Sequence, residues 1–87
     1  MLFDNLELNI YPNPTSQSIN ISVNENNLND YRWVVYNELG SIVNQSRSIK
    51  NSGVIDEKID VSNLTPGVYF ISFISEEKVL TKEFIKN

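Results

Sequence analysis

The chain has 87 residues, with 7 basic and 11 acidic side chains and a formal net charge of −4. A chain of this length makes one small domain, which buries roughly 60–65% of the surface that it exposes when unfolded. Cys and His are both absent, which excludes disulfides and thiol chemistry and removes the usual general base and the commonest metal ligand. The basic residues are too few and too scattered for a nucleic-acid-binding face. These features disfavour an enzyme, and no cofactor or metal is expected.

The composition indicates strands rather than helices. Ala is absent, whereas Ile, Val, Ser and Asn are abundant, a balance that suits strands joined by polar turns. No stretch is long enough for a membrane-spanning helix, so membrane insertion is not expected. Residues 1–4 lack the basic end and the apolar run of a signal peptide. A cytosolic location follows if the chain is a whole protein, but not if Met1 is an expression start.

The first predicted strand carries Leu8 and Ile10 on one side and runs into the tetrapeptide 11–14, Tyr-Pro-Asn-Pro. Two prolines one residue apart cannot lie inside a helix or a central strand, because each fixes φ and removes a backbone donor. Asn13 precedes a proline and is therefore expected to be extended. The tetrapeptide predicts a stiff corner at the surface.

The segments that follow alternate apolar and polar residues with a period of two, which predicts strands. Ile42 and Val43 open a fourth strand that soon becomes polar, as expected of a sheet edge, whereas the sixth strand is apolar on both faces, as expected of a central strand. The sequence does not decide which face of the last strand, residues 79–86, points inward, because Phe84 and Ile85 are adjacent and both apolar. In the third strand, the residues predicted to face outward are Arg32, Val34 and Tyr36. The residues predicted to face inward are Ile19, Ile21, Val23, Tyr31, Trp33, Val35, Ile55, Ile59, Val61, Tyr69, Ile71 and Phe73.

Turn signals separate these runs about every ten residues. Gly40 can take the positive φ that closes a tight hairpin, and Pro66 followed by Gly67 suits a turn with Pro second and Gly third. Short strands separated in this way predict an all-β fold, a seven-stranded immunoglobulin-like antiparallel β-sandwich. The predicted turns and loops are residues 24–30, 37–40, 51–53, 65–67 and 75–78.

Four motifs follow one another along the chain. They are Tyr11-Pro12-Asn13-Pro14-Thr15 with Ile19-Asn20-Ile21, then Val35-Tyr36-Asn37 with Leu39-Gly40, then Ile59-Asp60-Val61-Ser62-Asn63-Leu64-Thr65-Pro66-Gly67-Val68-Tyr69, and last Thr81-Lys82-Glu83-Phe84-Ile85-Lys86. In this order and spacing the chain resembles the type A C-terminal sorting domain of the type IX (Por) secretion system, from about Leu8 to the end. Family members often carry Asp near the position of Gln17, where the turn can instead be capped by Thr15, Ser16 or Ser18.

The resemblance implies a function. Such domains lie at the extreme C-terminus of larger secreted proteins, are not enzymes, and act as address labels that are recognised in the periplasm and carried through an outer-membrane translocon. The implied partners are the carrier, the translocon, a sortase-like peptidase that cleaves the label at the cell surface, and an upstream passenger domain. The implied location is the periplasm in transit, then the cell surface or the medium. Residues 1–7 are then a linker remnant or an expression start, and residues 8–87 the sorting domain.

Several residues match the family's motif positions, and each also has a structural interpretation. The prolines shape a corner, the glycines suit tight turns, and Leu64 and Tyr69 suit the core. The Tyr69 hydroxyl is expected to bond locally, as in the tyrosine corner of other sandwiches. The matching residues are Pro12, Asn13, Pro14, Gly40, Leu64, Gly67, Tyr69 and Lys82.

The last strand ends in Lys and is a candidate for recognition. It could present Lys82, Lys86 and a free edge to a receptor; the alternative is two solvated lysines that protect an edge strand. We predict that the final strand and the proline corner dock to the carrier through shape and main-chain hydrogen bonds, without catalysis. Deleting residues 79–87 should then abolish export of a fused passenger. Open strand edges also allow a homodimer.

The runner-up is a non-catalytic binding or spacer module of a surface protein, with Tyr11, Tyr36 and Phe70 as a carbohydrate platform. A calcium site at Asp30 is disfavoured, because the spacing of the acidic and amide residues matches no calcium loop. Glycoside chemistry needs paired carboxylates in a cleft. No cleft is indicated around the carboxylates of the fifth strand, Asp56, Glu57 and Asp60.

Overall fold

The computed structural model describes residues 8–23, 30–49, 55–76 and 78–87. Within these ranges the chain forms seven strands and no helix, which confirms the all-β prediction. The strands are β1 (Leu8–Tyr11), β2 (Ser18–Val23), β3 (Tyr31–Asn37), β4 (Ile42–Gln45), β5 (Ile55–Asp60), β6 (Gly67–Ser75) and β7 (Val79–Lys86).

The strands form two antiparallel sheets. The first sheet has the order β1-β2-β5 and the second the order β4-β3-β6-β7. This is the strand order of an immunoglobulin-like sandwich in which the first sheet supplies positions A, B and E and the second supplies C′, C, F and G. The predictions that the fourth strand is an edge and the sixth is central are both confirmed.

The core lies between the two sheets, because alternate residues of each strand point inward. The ring of Tyr31 packs on that of Phe73 with 5.0 Å between centroids. All the predicted inward residues are buried, except Trp33, which is partly buried against the core. The buried apolar cluster comprises Leu8, Ile19, Ile21, Val23, Tyr31, Val35, Ile55, Ile59, Val61, Tyr69, Ile71, Phe73 and Phe84.

Val34 differs from its prediction. The alternation places it on the outer face of β3, yet only 1% of its surface is exposed. It pairs with Ser72 of β6 and Gln45 of β4. Its position inside the sheet explains the burial, since side chains of both neighbouring strands stand beside it.

The inward face of the last strand is settled by Phe84, which is fully buried, whereas Ile85 points outward and is 44% exposed. Leu80 lies on the same face as Phe84 and packs against the core. The predicted tip at residues 75–78 joins β6 to β7, and the Ser75 amide donates to the Lys78 carbonyl at 2.8 Å.

The remaining turn predictions have mixed outcomes. Gly40 has a φ of +84° and closes the β3–β4 hairpin as predicted. Pro66 lies in a bend, but the hydrogen-bonded turn of this segment comes earlier, where the Leu64 amide donates to the Val61 carbonyl at 3.0 Å. The predicted turn at 51–53 and residues 24–29 of the predicted loop lie outside the described residues.

Candidate recognition surface

The sequence-predicted site residues gather at one end of the sandwich. At this end β3 stops at Asn37, β6 starts at Gly67 and β7 stops at Lys86, because neighbouring strands are antiparallel. The first sheet meets them there, since Thr15, which follows β1, bridges to Lys86. Lys82 is the exception and lies further along β7. The residues brought together are Pro12, Asn13, Pro14, Gly40, Leu64, Gly67, Tyr69 and Lys86.

The proline corner, defined here as residues 12–15, connects β1 to β2 within the first sheet and contacts β7 of the second sheet. The peptide bonds before Pro12 and Pro14 are both cis. Asn13 and the two prolines are exposed, whereas Thr15 is buried. The Thr15 hydroxyl donates to the Ser18 carbonyl, so Thr15 is the residue that caps the turn after the corner.

The corner is hydrogen-bonded to the outer edge of β7. The Asn13 side chain accepts from the Ile85 amide at 2.9 Å and donates to the Glu83 carbonyl at 3.3 Å. The Thr15 amide donates to the Ile85 carbonyl at 2.9 Å, and the Asn87 amide donates to the Thr15 carbonyl at 2.8 Å. The predicted free edge of β7 is therefore occupied by the protein itself from residue 83 onward.

Lys86 corrects the expectation that both lysines of the last strand are presented to a receptor or solvated. Only 7% of its surface is exposed. It faces inward like Phe84, and its Nζ donates to the Leu64 carbonyl at 3.0 Å and to the Asn87 carbonyl at 3.3 Å. Lys82 is exposed. Of the two lysines, Lys82 is therefore the one that can reach a partner.

Tyr69 forms the tyrosine corner that the sequence predicts. Its hydroxyl donates to the Thr65 carbonyl at 2.6 Å and lies 3.2 Å from the Thr65 hydroxyl. Its ring stacks on that of Phe84, with centroids 5.6 Å apart. Leu64 is partly buried against the core. These contacts give both motif residues a structural role.

The β3–β4 hairpin displays an apolar side chain. The Asn37 side-chain oxygen accepts from the Leu39 amide at 2.9 Å and from the Ser41 amide at 3.0 Å, which fixes the turn. Leu39 at its tip is 89% exposed. The sequence argument used Leu39 only as part of a motif; the missed signal is an apolar residue in a turn where polar residues are usual.

A groove of about 430 Å³ lies between this hairpin and the segment that leads into β6. We call it the Leu39 groove. Its lining is part apolar and part polar: the polar part comes from Asn37, Glu38, Asn63 and Thr65, and Gly67 and Tyr69 also line it. The apolar lining residues are Leu39, Val43, Leu64, Pro66 and Val68.

A second groove, of about 580 Å³, is lined by residues with polar side chains, among them Lys58 and Asp60. The pKa of Asp60 is lowered because the Ser62 hydroxyl and amide donate to the Asp60 carboxylate, with a smaller contribution from Lys58. Asp56 shares the outer face of β5 with Asp60, whereas Glu57 points inward. The three carboxylates of this strand are thus divided between two faces.

Glu57 joins the two sheets through Tyr31. The Tyr31 hydroxyl donates to the Glu57 carboxylate at 2.7 Å. Burial, followed by this hydrogen bond and the negative charge of Glu57, raises the pKa of Tyr31 above its ordinary value.

The aromatic residues of the alternative interpretation lie on two sheets. Tyr36 and Phe70 form a cross-strand pair on the outer face of the second sheet, and both are half-buried. Tyr11 belongs to the first sheet. Asp30 is exposed, and no group of three acidic side chains in the described ranges is arranged to hold a metal ion. Those ranges also contain no helix with the length and hydropathy needed to span a bilayer.

These features define an immunoglobulin-like β-sandwich whose motif residues build one surface out of the first corner and the last strand. The sequence model of one family, described as the secretion system C-terminal sorting domain, matches residues 9–87. The chain belongs to this family, the C-terminal sorting domains of the type IX secretion system. The family implies export through the outer membrane to the cell surface or the medium. The comparison with curated proteins found no match.

Proposed function

We propose that the domain directs a passenger fused upstream of it through the outer membrane, and that the export machinery recognises the proline corner together with residues 82–87. The observation that carries the proposal is the set of hydrogen bonds between Asn13, Thr15 and the edge of β7, which makes one continuous surface from two family motifs. Recognition requires no catalysis by the domain. A carrier in the periplasm, the translocon and a sortase-like peptidase are the proposed partners, with cleavage at the cell surface.

The contact is one of shape and side chains rather than of an added strand over residues 83–87. The main chain there already bonds to the corner, so a partner strand would have to displace it. The exposed faces of Pro12, Asn13 and Pro14 and the side chain of Lys82 are what a partner meets. The proposed docking surface therefore includes only the final part of the last strand, whereas the sequence predicted docking by the whole strand.

The test is to fuse residues 1–87 behind a periplasm-targeted fluorescent passenger in a host that has the type IX machinery. We expect the fusion at the cell surface or in the medium, and the same passenger without the domain in the periplasm. Periplasmic retention of a folded fusion would contradict the proposal. Deleting residues 79–87 is a blunt test, because it also removes Phe84 from the core.

A sharper test of the surface compares two exposed lysines on edge strands, Lys82 of β7 and Lys58 of β5. Lys82→Ala should slow export of the fusion while leaving its unfolding midpoint unchanged. Lys58→Ala is the matched control and should be exported normally. Equal export rates for the two variants would show that Lys82 is not part of the recognition surface.

The second candidate function is a binding module of a surface protein, which the adjacent, half-buried rings of Tyr36 and Phe70 favour. Glycan binding by the isolated domain that is lost in Tyr36→Ala would support it. We also propose that the domain can form a homodimer through its strand edges. Sedimentation velocity of the isolated domain tests this.

A further inference from the structure

Leu39 is exposed without a packing role. Among the exposed large apolar residues in the described part of the chain it has the largest exposed fraction, 89%, and it is not part of the core cluster. A turn position of this kind usually carries a polar residue, since an apolar side chain that stays in water contributes no burial free energy to folding. The fold therefore does not explain why Leu stands here.

The hairpin that carries Leu39 is held in one conformation. The Asn37 side chain accepts two amides of the turn, from Leu39 and Ser41. The Gly40 amide also donates to the Asn37 carbonyl at 3.0 Å, and the Asn37 amide to the Ser41 carbonyl at 2.9 Å. A side chain on such a turn loses little backbone entropy when it binds, which is the property of a preorganised anchor.

The surroundings of Leu39 indicate what it binds. The Leu39 groove beside it is lined by both apolar and polar residues, and Glu38 is the one charged residue among its described lining residues. Lys86, the cation of β7 at this end, is buried and bound to the Leu64 carbonyl. The surface thus presents one exposed apolar side chain beside one carboxylate, and its complement is an apolar pocket with a basic edge.

We propose that Leu39 inserts into an apolar pocket with a basic rim on a protein of the export machinery, with Glu38 facing that rim. The proposal rests on the sorting function proposed above. It adds an anchor on the β3–β4 hairpin that is separate from the proline corner and residues 82–87.

The test measures how fast the passenger fusion reaches the medium. Leu39→Asn keeps the amide donor and suits a turn, so its unfolding midpoint should equal that of the unchanged domain. We expect its export rate to fall about tenfold, the effect of losing a binding hot spot. Leu39→Met keeps an apolar side chain and should be exported nearly as fast as the unchanged fusion.

The matched control is Val79→Thr. Val79 is 63% exposed, but it starts β7 at the opposite end of the sandwich, next to the 75–78 tip. This variant should be exported at the unchanged rate. Export of Leu39→Asn at the unchanged rate, or an equal fall in Val79→Thr, would overturn the proposal.

The charge of the partner is tested separately. Glu38→Lys should slow export more than Glu38→Gln, and added salt should narrow the difference between them. An equal effect of the two variants would contradict the proposal that the partner's pocket has a basic rim.

The outcomes distinguish a failure of the Leu39 anchor from a failure of the sorting function, and a partner contact from self-association. If the unchanged fusion stays in the periplasm, the sorting function itself fails; if it is exported and Leu39→Asn is exported equally, only the anchor fails. If the isolated domain sediments as a dimer that Leu39→Asn converts to a monomer, Leu39 binds a second copy and the proposal is overturned.

Discussion

Lys86 and Tyr69 show how a motif residue can serve the fold at the surface proposed for recognition. The ammonium of Lys86 is inside the molecule and ties the end of β7 to the Leu64 carbonyl. The hydroxyl of Tyr69 ties the start of β6 to the Thr65 carbonyl. Both bonds end on the same short segment before β6. These two side chains therefore fix the backbone that lines the Leu39 groove.

Lys86→Met keeps most of the buried side chain and removes the donor. Because the Leu64 carbonyl then loses its charged partner, we expect the free energy of unfolding to fall by about 1–3 kcal/mol, measured by denaturant titration. Lys82→Met is the control at an exposed position and should stay within about 0.5 kcal/mol. An equal loss in the two variants would show that the buried contact of Lys86 contributes nothing.

Tyr69→Phe removes only the hydroxyl that donates to Thr65. We expect a loss of about 1 kcal/mol in the free energy of unfolding, with export of a folded fusion unchanged. Tyr36→Phe serves as the comparison, since Tyr36 lies half-buried on the outer face of the second sheet. If Tyr69→Phe is as stable as Tyr36→Phe but is exported poorly, Tyr69 acts in recognition rather than in folding.

At the scale of elements, the proline corner acts as an additional strand-like partner for β7. Edge strands invite pairing with other chains unless something covers them. The corner covers β7 from residue 83 onward with two main-chain bonds and two bonds of the Asn13 side chain. Lys82 is exposed on the same strand, and a charge at this position is of the kind that discourages pairing with another chain.

Asn13→Ala removes both side-chain bonds of the corner and leaves its main-chain bonds in place. The Ile85 amide then loses its acceptor, so we expect its hydrogen exchange to become at least about tenfold faster and the domain to lose about 1 kcal/mol. Asn9→Ala, at an exposed position of β1, should leave the exchange of Ile85 unchanged. Unaltered exchange in Asn13→Ala would mean that the main-chain bonds alone hold the corner.

The strands and their inward faces were predictable because burial imposes a period of two on each strand. The local hydrogen bond of Tyr69 was predictable because it spans four residues. The contact of Asn13 with Ile85 was not, since it spans 72 residues and depends on how the two sheets close. Nor was the burial of Lys86, because a charged side chain usually lies in water unless a specific partner holds it inside. Leu39 left a signal in the sequence, an apolar residue in a predicted turn, but only the structure showed that its side chain is uncovered.

At the scale of the whole molecule, the Tyr31–Glu57 bond is a part-buried polar contact between the two sheets. Burial and the Glu57 carboxylate raise the pKa of Tyr31, so the folded state favours the neutral phenol more than the unfolded state does. This contribution to stability is fully present below the ordinary pKa of 10.0. It is lost as the pH rises above that value.

We therefore expect alkaline pH to lower the denaturation midpoint, and Tyr31→Phe to reduce that dependence. The measurement is urea denaturation at pH 9 and at about pH 11, for the unchanged domain and for Tyr31→Phe. The difference in midpoint between the two pH values should be smaller in the variant. The same pH dependence in both proteins would exclude Tyr31 as the group responsible.

The bonds between the corner and β7 tie residues 13 and 15 to residues 83–87. A ribosome makes these two segments at the start and at the end of the domain, and domains form from the N-terminal side as the chain emerges. The surface proposed for recognition therefore cannot exist on a nascent or prematurely terminated product. A surface built in this way reports that the domain has been made through its last strand, so a partner that reads it would distinguish the complete domain from a truncated one.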